Sequence, residues 1–254
     1  MCLILFAYRM HPTYRLIVAA NRDEFYGRPT APAQYWADDP RILAGRDLLK
    51  MGTWMGVTTT GRFAALTNVR NPQEVPTGKR SRGELVADYL KSDVTPEQYI
   101  KQAARTRDDY PGYNLLAWDR DELYYYSNVG DAPQRLEPGV YGVSNHLLNT
   151  PWPKVVRGRE GLAELLKGNG DPMTERLFDL LRHDAPAPDE HLPRTGVPLE
   201  WERLLSPMFV RSEAHAYGTR TSTVVFMSEE EIRFQERSRP EEGDMVRSYS
   251  VRLQ

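Results

Sequence analysis

Cys2 is the sole cysteine of the 254-residue chain, and its place gives it chemistry that an interior thiol lacks. Removal of an initiator methionine requires a small second residue, and cysteine qualifies. The mature chain would then open with a thiol and a free α-amine on one residue. The amine titrates near about 7.7 to 8 and the thiol near about 8.5, so close to neutrality a neutral amine coexists with an accessible thiolate. The amine can act as base directly or through a water, and one residue supplies both nucleophile and general base. If Met1 is retained the amine is acylated and cannot act. Away from such chemistry, a cysteine at a strand start is a small buried hydrophobe.

The elements that would position Cys2 are legible nearby. Leu3 to Tyr8 and Tyr14 to Ala20 are rich in branched and aromatic residues, with a Met10-His11-Pro12-Thr13 turn between them, so they read as a β-hairpin. A turn centred near His11 sets Cys2 opposite about Ala20 or Asn21 and brings Asn21-Arg22-Asp23-Glu24 beside the chain start. An arginine there favours thiolate, a carboxylate can hold the amine, and an asparagine can donate to an oxyanion. The plainer alternative is a charged strand end with Arg22 and Asp23 paired in solvent.

Further along, Trp54 to Thr60 and Phe63 to Asn68 flank a Thr60-Gly61 turn and form a second hairpin. Ser81-Arg82-Gly83-Glu84 is a capping box that opens a helix from about Arg82 to Lys91, and Thr95-Pro96-Glu97-Gln98 opens another to about Arg107, the two packing as a pair. Strands are expected at Asn114 to Trp118, Glu122 to Ser127 and Val140 to Ser144. Helices follow from Pro153 to Lys167 and from Met173 to Leu181. Asp184 to Pro198 carries four prolines and reads as an irregular loop, a connector or a mobile flap. Thr221 to Met227, Ile232 to Glu236 and Met245 to Val251 close the chain as an antiparallel meander. Strands and helices are segregated, which favours α+β layers in one domain spanning residues 1–254.

Composition narrows the function classes. With 33 basic and 35 acidic residues the net charge is −2, and 40% of residues are hydrophobic, so neither disorder nor nucleic-acid tethering by bulk charge is expected. No apolar run reaches the roughly 18 residues that cross a bilayer, and the first apolar stretch lacks the preceding charge of a signal peptide. One cysteine allows no internal disulfide and no CxxC site, so a reducing, cytoplasmic setting is expected. The five histidines, 11, 146, 183, 191 and 215, have no metal-ligand spacing, and no metal site is expected. Lys79-Arg80-Ser81-Arg82 could touch a phosphate or an anionic headgroup, although a solvated helix start is the preferred reading.

Met1-Cys2-Leu3-Ile4 followed by Ala20-Asn21-Arg22-Asp23-Glu24-Phe25 resembles the NRDE family, also called the transport and Golgi organisation 2 family. Gly52-Thr53-Trp54-Met55-Gly56, Ala65-Leu66-Thr67-Asn68, Gly142-Val143-Ser144-Asn145, Thr150-Pro151-Trp152-Pro153-Lys154 and Tyr217-Gly218-Thr219-Arg220-Thr221 extend the resemblance over most of the chain. It implies a four-layer αββα sandwich of the N-terminal-nucleophile hydrolase type, similar to bile salt hydrolases and penicillin V acylases. Carried over by position, Cys2 matches the nucleophile, Arg22 and Asp23 the arginine and aspartate after the first hairpin, Asn68 and Asn145 the oxyanion asparagines, and Arg220 a late arginine. Asn21, Trp54 and His146 are the candidate substrate-binding residues. The acylases separate their arginine and aspartate, whereas Arg22 and Asp23 are adjacent. A flat strand aims at most one of them at the thiol, and a bulge or turn would be needed to aim both.

Two functions follow from the resemblance. One is hydrolysis of a linear amide or related acyl compound with no cofactor. The other is a non-catalytic carrier whose ligand is haem or an acyl-CoA-like lipid, in keeping with the haem trafficking proposed for the family; a thiolate, or His146, could then ligate haem iron.

Overall fold

The computed structural model describes residues 3–75, 77–130, 132–168, 173–238 and 245–253, and Cys2 lies outside them. The first half of the chain forms β1 (Leu3–Tyr8), β2 (Leu16–Phe25), β3 (Thr30–Tyr35), β4 (Ile42–Asp47), β5 (Met55–Thr58), β6 (Phe63–Asn68), α1 (Arg82–Lys91) and α2 (Pro96–Arg105). β7 (Tyr113–Trp118), β8 (Leu123–Ser127), β9 (Gln134–Arg135), β10 (Gly139–Val143), α3 (Pro153–Leu166) and α4 (Met173–Leu181) follow. The chain closes with α5 (Leu199–Leu204), β11 (Arg211–Ser212), β12 (Tyr217–Met227), β13 (Glu231–Ser238) and β14 (Met245–Arg252).

Every residue of β1 is buried, because both faces of the strand are covered. Ile4, Phe6 and Tyr8 pack between two sheets, while Leu3, Leu5 and Ala7 pack against helices, so the usual polar alternation is absent. The first sheet has the order β10-β1-β2-β12-β13-β14, with β11 beside β12, and the second runs β3 to β9 in sequence order. All pairings are antiparallel. Helices α3 and α4 cover the first sheet, and α1 and α2 the second. The αββα sandwich inferred from the resemblance is the architecture found.

Local signals set the helix ends. Glu84 accepts from the Ser81 backbone N–H at 3.3 Å, and Gln98 and Thr95 exchange two such bonds, satisfying N–H groups that the helix leaves open. Tyr99 donates to the Leu85 carbonyl at 2.6 Å and joins α2 to α1. α2 stops at Arg105, with a 3₁₀ turn at Arg107–Asp109, two residues short of the expected end.

Three departures from expectation have physical causes. β2 does not end at Ala20 but continues to Phe25, since Asn21, Arg22 and Asp23 are buried with partners supplied by distant segments. Its neighbour β12 correspondingly starts at Tyr217, four residues before Thr221. β3 was hidden by Pro29 and Pro32, and β4 was not expected either; Pro32 lies where the β3–β4 register shifts, on an edge strand, where a missing N–H is tolerated. β9, β11 and α5 are too short to show a pattern. The 184–198 segment is irregular as expected, apart from a 3₁₀ turn at Asp189–His191, but it is pinned at its C-terminal end. Glu202, only 3% exposed, pairs with Arg70 at 2.5 Å and accepts from both the N–H and the hydroxyl of Thr195.

Candidate functional site

The alternation seen in the apolar part of β2 governs its polar end. Leu16, Val18 and Ala20 face between the sheets, and Ile17 and Ala19 face the helices. Asn21 and Asp23 therefore fall on the helix side, and Arg22 and Glu24 on the inter-sheet side. The hydrogen bonds agree. Asn21 Nδ2 donates to the Leu181 and Met208 carbonyls at 2.9 and 2.8 Å, and its Oδ1 accepts from Ser222. With both ends of its amide engaged and no exposed surface, Asn21 ties the strand to α4. Asp23 accepts from the Thr219 hydroxyl at 2.5 Å.

Arg22 is 3% exposed, stacks over Trp54 at 4.3 Å and approaches Glu24 at 3.6 Å. Its Nη1 is buried and has no hydrogen-bond partner among the described residues. Burial pushes the guanidinium below its ordinary value, against the opposing charge of Glu24. Arg22, Glu24, Trp54 and Asn68 line one cavity of about 400 Å³ together with Arg28, Asp47, Thr53 and the start of α1. Gly45 makes room for the indole: a Cβ there would sit 2.4 Å from the Trp54 ring.

The bulge expected for aiming Arg22 and Asp23 together lies on the partner strand. Register passes from Asp23↔Thr219 to Arg22↔Thr221, leaving Arg220 as the extra residue. β2 itself stays flat, and its arginine and aspartate face opposite ways. Arg220 Nη1 donates to the carbonyls of Phe25, Tyr26 and Arg28 and so holds the β2–β3 turn. That turn carries Arg28, which bonds Asp47 at 2.6 Å on the cavity wall.

Asn68 and Asn145 lie 77 residues apart in sequence and meet in space, with Asn145 Nδ2 donating to the Asn68 carbonyl at 3.0 Å. Asn145 also accepts at its backbone oxygen from Arg70. Of the two, Asn68 lines the cavity and Asn145 does not. His146 is exposed, its ring against Thr150 and 6.0 Å from Trp152, off the cavity lining. Leu3, the first described residue, pairs with Asn21. Among the described residues no group of three or more His, Asp or Glu could hold a metal ion, and no helix is long and apolar enough to cross a membrane.

A model of the family described as Transport and Golgi organisation 2 matches residues 1–241. The chain belongs to that family. The human Transport and Golgi organization protein 2 homolog is 36% identical over 261 residues, covering 94% of this chain and 93% of its own. The Drosophila melanogaster Transport and Golgi organization protein 2 is 31% identical, covering 91% and 89%. Among solved structures, a Caenorhabditis elegans N-acylethanolamine-hydrolyzing acid amidase ortholog superposes with a TM-score of 0.53 at 12% identity, covering 88% of this chain and 92% of its own. That likeness establishes an N-terminal-nucleophile hydrolase fold for this member of the Transport and Golgi organisation 2 family.

Several residues of this family member's cavity were not singled out from the sequence. Glu24 belonged to the tetrapeptide but had no separate role, and Arg28 and Asp47 sit on or beside strands that the sequence concealed. Lys79 to Arg82 was visible as a charge cluster; what the sequence could not show was that its helix begins on the cavity.

Proposed function

We propose that this protein is an N-terminal-cysteine hydrolase that cleaves a linear amide or related acyl compound in the Arg22 cavity. The observation that carries this reading is the buried Arg22 guanidinium on the cavity wall, whose Nη1 has no hydrogen-bond partner among the described residues, on the strand that pairs with the start of β1. β1 sets Ile4 on the same inter-sheet face as Arg22, and Cys2 is two residues earlier. In this reading Met1 is removed and Arg22 favours the Cys2 thiolate. The α-amine takes the thiol proton, the thiolate attacks the acyl carbon, the ammonium passes that proton to the departing nitrogen, and the C–N bond breaks to leave a thioester. Water, deprotonated by the same amine, then releases the carboxylate and restores the thiol. Asn68 would face the developing oxyanion with its side chain. Asn145 positions Asn68, Trp54 backs Arg22, and Asp23, Asn21 and Arg220 hold the strand and turn that present the site. His146 receives no role. A cytoplasmic, reducing setting would keep the thiol free.

A carrier of haem or an acyl-CoA-like lipid would use the same cavity. The hydrolase is favoured because the described lining offers few apolar side chains and no histidine or methionine to an iron.

Intact mass shows whether Met1 is absent, and a panel of linear amides then tests turnover. Cys2→Ser should lose nearly all of it, and so should a form that keeps Met1. If fully processed protein turns over no amide while haem binds equally with and without Met1, the hydrolase reading gives way to the carrier.

A further inference from the structure

The cavity is cationic in a chain whose net charge is −2. Six of its lining residues are basic and two are acidic, and both acids are engaged. Asp47 pairs with Arg28, and Glu24 stands 3.6 Å from Arg22 and 3.7 Å from Arg28. The excess charge is carried by Lys50 and by the cluster at the start of α1. Within that cluster Arg80 pairs with Glu84 at 3.0 Å. Lys79 instead donates to the Asp108 carbonyl. A carbonyl orients a cation without neutralising it.

Helix direction adds to this. Ser81, Arg82 and Gly83 all line the cavity, so the ten-residue helix α1 turns its positive dipole end toward it. Gly52 permits that placement, because a Cβ there would lie 2.5 Å from the Gly83 carbonyl carbon. The independent sign of a ligand is Arg22. A nearly fully buried guanidinium N–H left without an acceptor is costly, and here it belongs to a side chain on the cavity wall.

We propose that this wall binds an anionic group, a carboxylate or a phosphate, so that the substrate is an acyl compound bearing a negative charge. The anion site stands on charge and geometry alone; only the word substrate rests on the hydrolase reading. Arg22 would offer its planar N–H fork to two oxygens of the anion, with Lys50, Lys79 and the helix end supplying positive potential around it.

The test uses processed protein and three amides with one acyl chain: N-octanoylethanolamine, which is neutral, N-octanoylglycine, which carries a carboxylate, and O-phospho-N-octanoylethanolamine. The anionic amides should show kcat/KM about tenfold or more above the neutral one, and the better of the two identifies the group. The preference should shrink as salt rises from 50 to 500 mM, since the screening length falls from about 14 Å to about 4 Å over that range. It should collapse toward unity in Lys50→Gln/Lys79→Gln, whose two lysines are exposed and whose folding is not at risk. Binding is read separately by titrating inorganic phosphate and acetate into Cys2→Ser protein, with and without Arg22→Gln.

Equal turnover of all three amides, unaltered in the double lysine variant, overturns the anion site and leaves the hydrolase standing. Anion binding that is lost in the lysine and Arg22 variants, with no amide turned over, keeps the site and overturns the hydrolase. Absence of both overturns both.

Discussion

Replacing Glu236 by glutamine should make the protein more stable above neutral pH and leave it nearly unchanged in acid. Glu236 is 1% exposed on the inter-sheet face of β13, where its Oε1 accepts from the Ala33 N–H at 2.8 Å and so joins the first sheet to the second. Burial, the largest influence, pushes its carboxyl from 4.5 up to about 7, against the Ala33 hydrogen bond and the more distant Arg247 and Arg22. A folded-state value above the unfolded one means that the folded protein holds the proton more tightly. The associated stability is fully present below about pH 4.5 and is lost as pH rises through about 7. A shift of about 2.5 units corresponds to roughly 3 kcal/mol. Glutamine keeps an acceptor for Ala33 and never ionises. Wild type should therefore lose about 3 kcal/mol relative to Glu236→Gln between pH 4.5 and pH 8, roughly 6 to 10 °C in Tm for a domain of this size. Urea unfolding of both proteins across that range isolates the difference from every other titrating group. Parallel curves at all pH values, or a variant less stable than wild type at pH 8, would refute the placement of a buried, proton-holding carboxyl between the sheets.

Gly45→Ala should cost about 1 to 3 kcal/mol, because the new methyl overlaps the Trp54 ring; a shift in tryptophan emission should accompany the loss, and wild-type emission with wild-type stability would contradict it. Glu202→Ala leaves Arg70 buried and unpaired, a change worth about 3 to 5 kcal/mol, and it should release the proline-rich segment to limited proteolysis between residues 184 and 198. Cleavage there at the wild-type rate would show that the ion pair does not restrain the segment.

What the sequence disclosed followed the range of the interactions involved. α1 begins at Arg82 because Ser81 and Glu84 are neighbours, and β1 begins at Leu3 because its six apolar residues are contiguous. Asn68 and Asn145 could be placed together because each closes a strand beside a short polar motif. The length of β2 could not be read, since the groups that let Asn21 stay buried come from Leu181, Met208 and Ser222, at least 160 residues away. The work of Arg220 on three turn carbonyls depends on a bulge that leaves no mark in the composition. The charge of Lys79 to Arg82 was plain, but whether it met solvent or a cavity depended on how α1 sits against Gly52 and Thr53, a tertiary matter.

The alternation of β2 through Asn21-Arg22-Asp23-Glu24 has a consequence for genetics. Four consecutive letters that look like one word are two interleaved ones: Asn21 fastens α4 to the sheet and Asp23 bonds the neighbouring strand, and Arg22 and Glu24 furnish the cavity. Replacing the tetrapeptide as a block would damage both at once, and a null phenotype would then say nothing of whether the cell missed a reaction or merely a folded protein. Alleles paired by parity, 21 with 23 and 22 with 24, separate the two: the first pair should lower abundance, and the second should leave protein present but inactive.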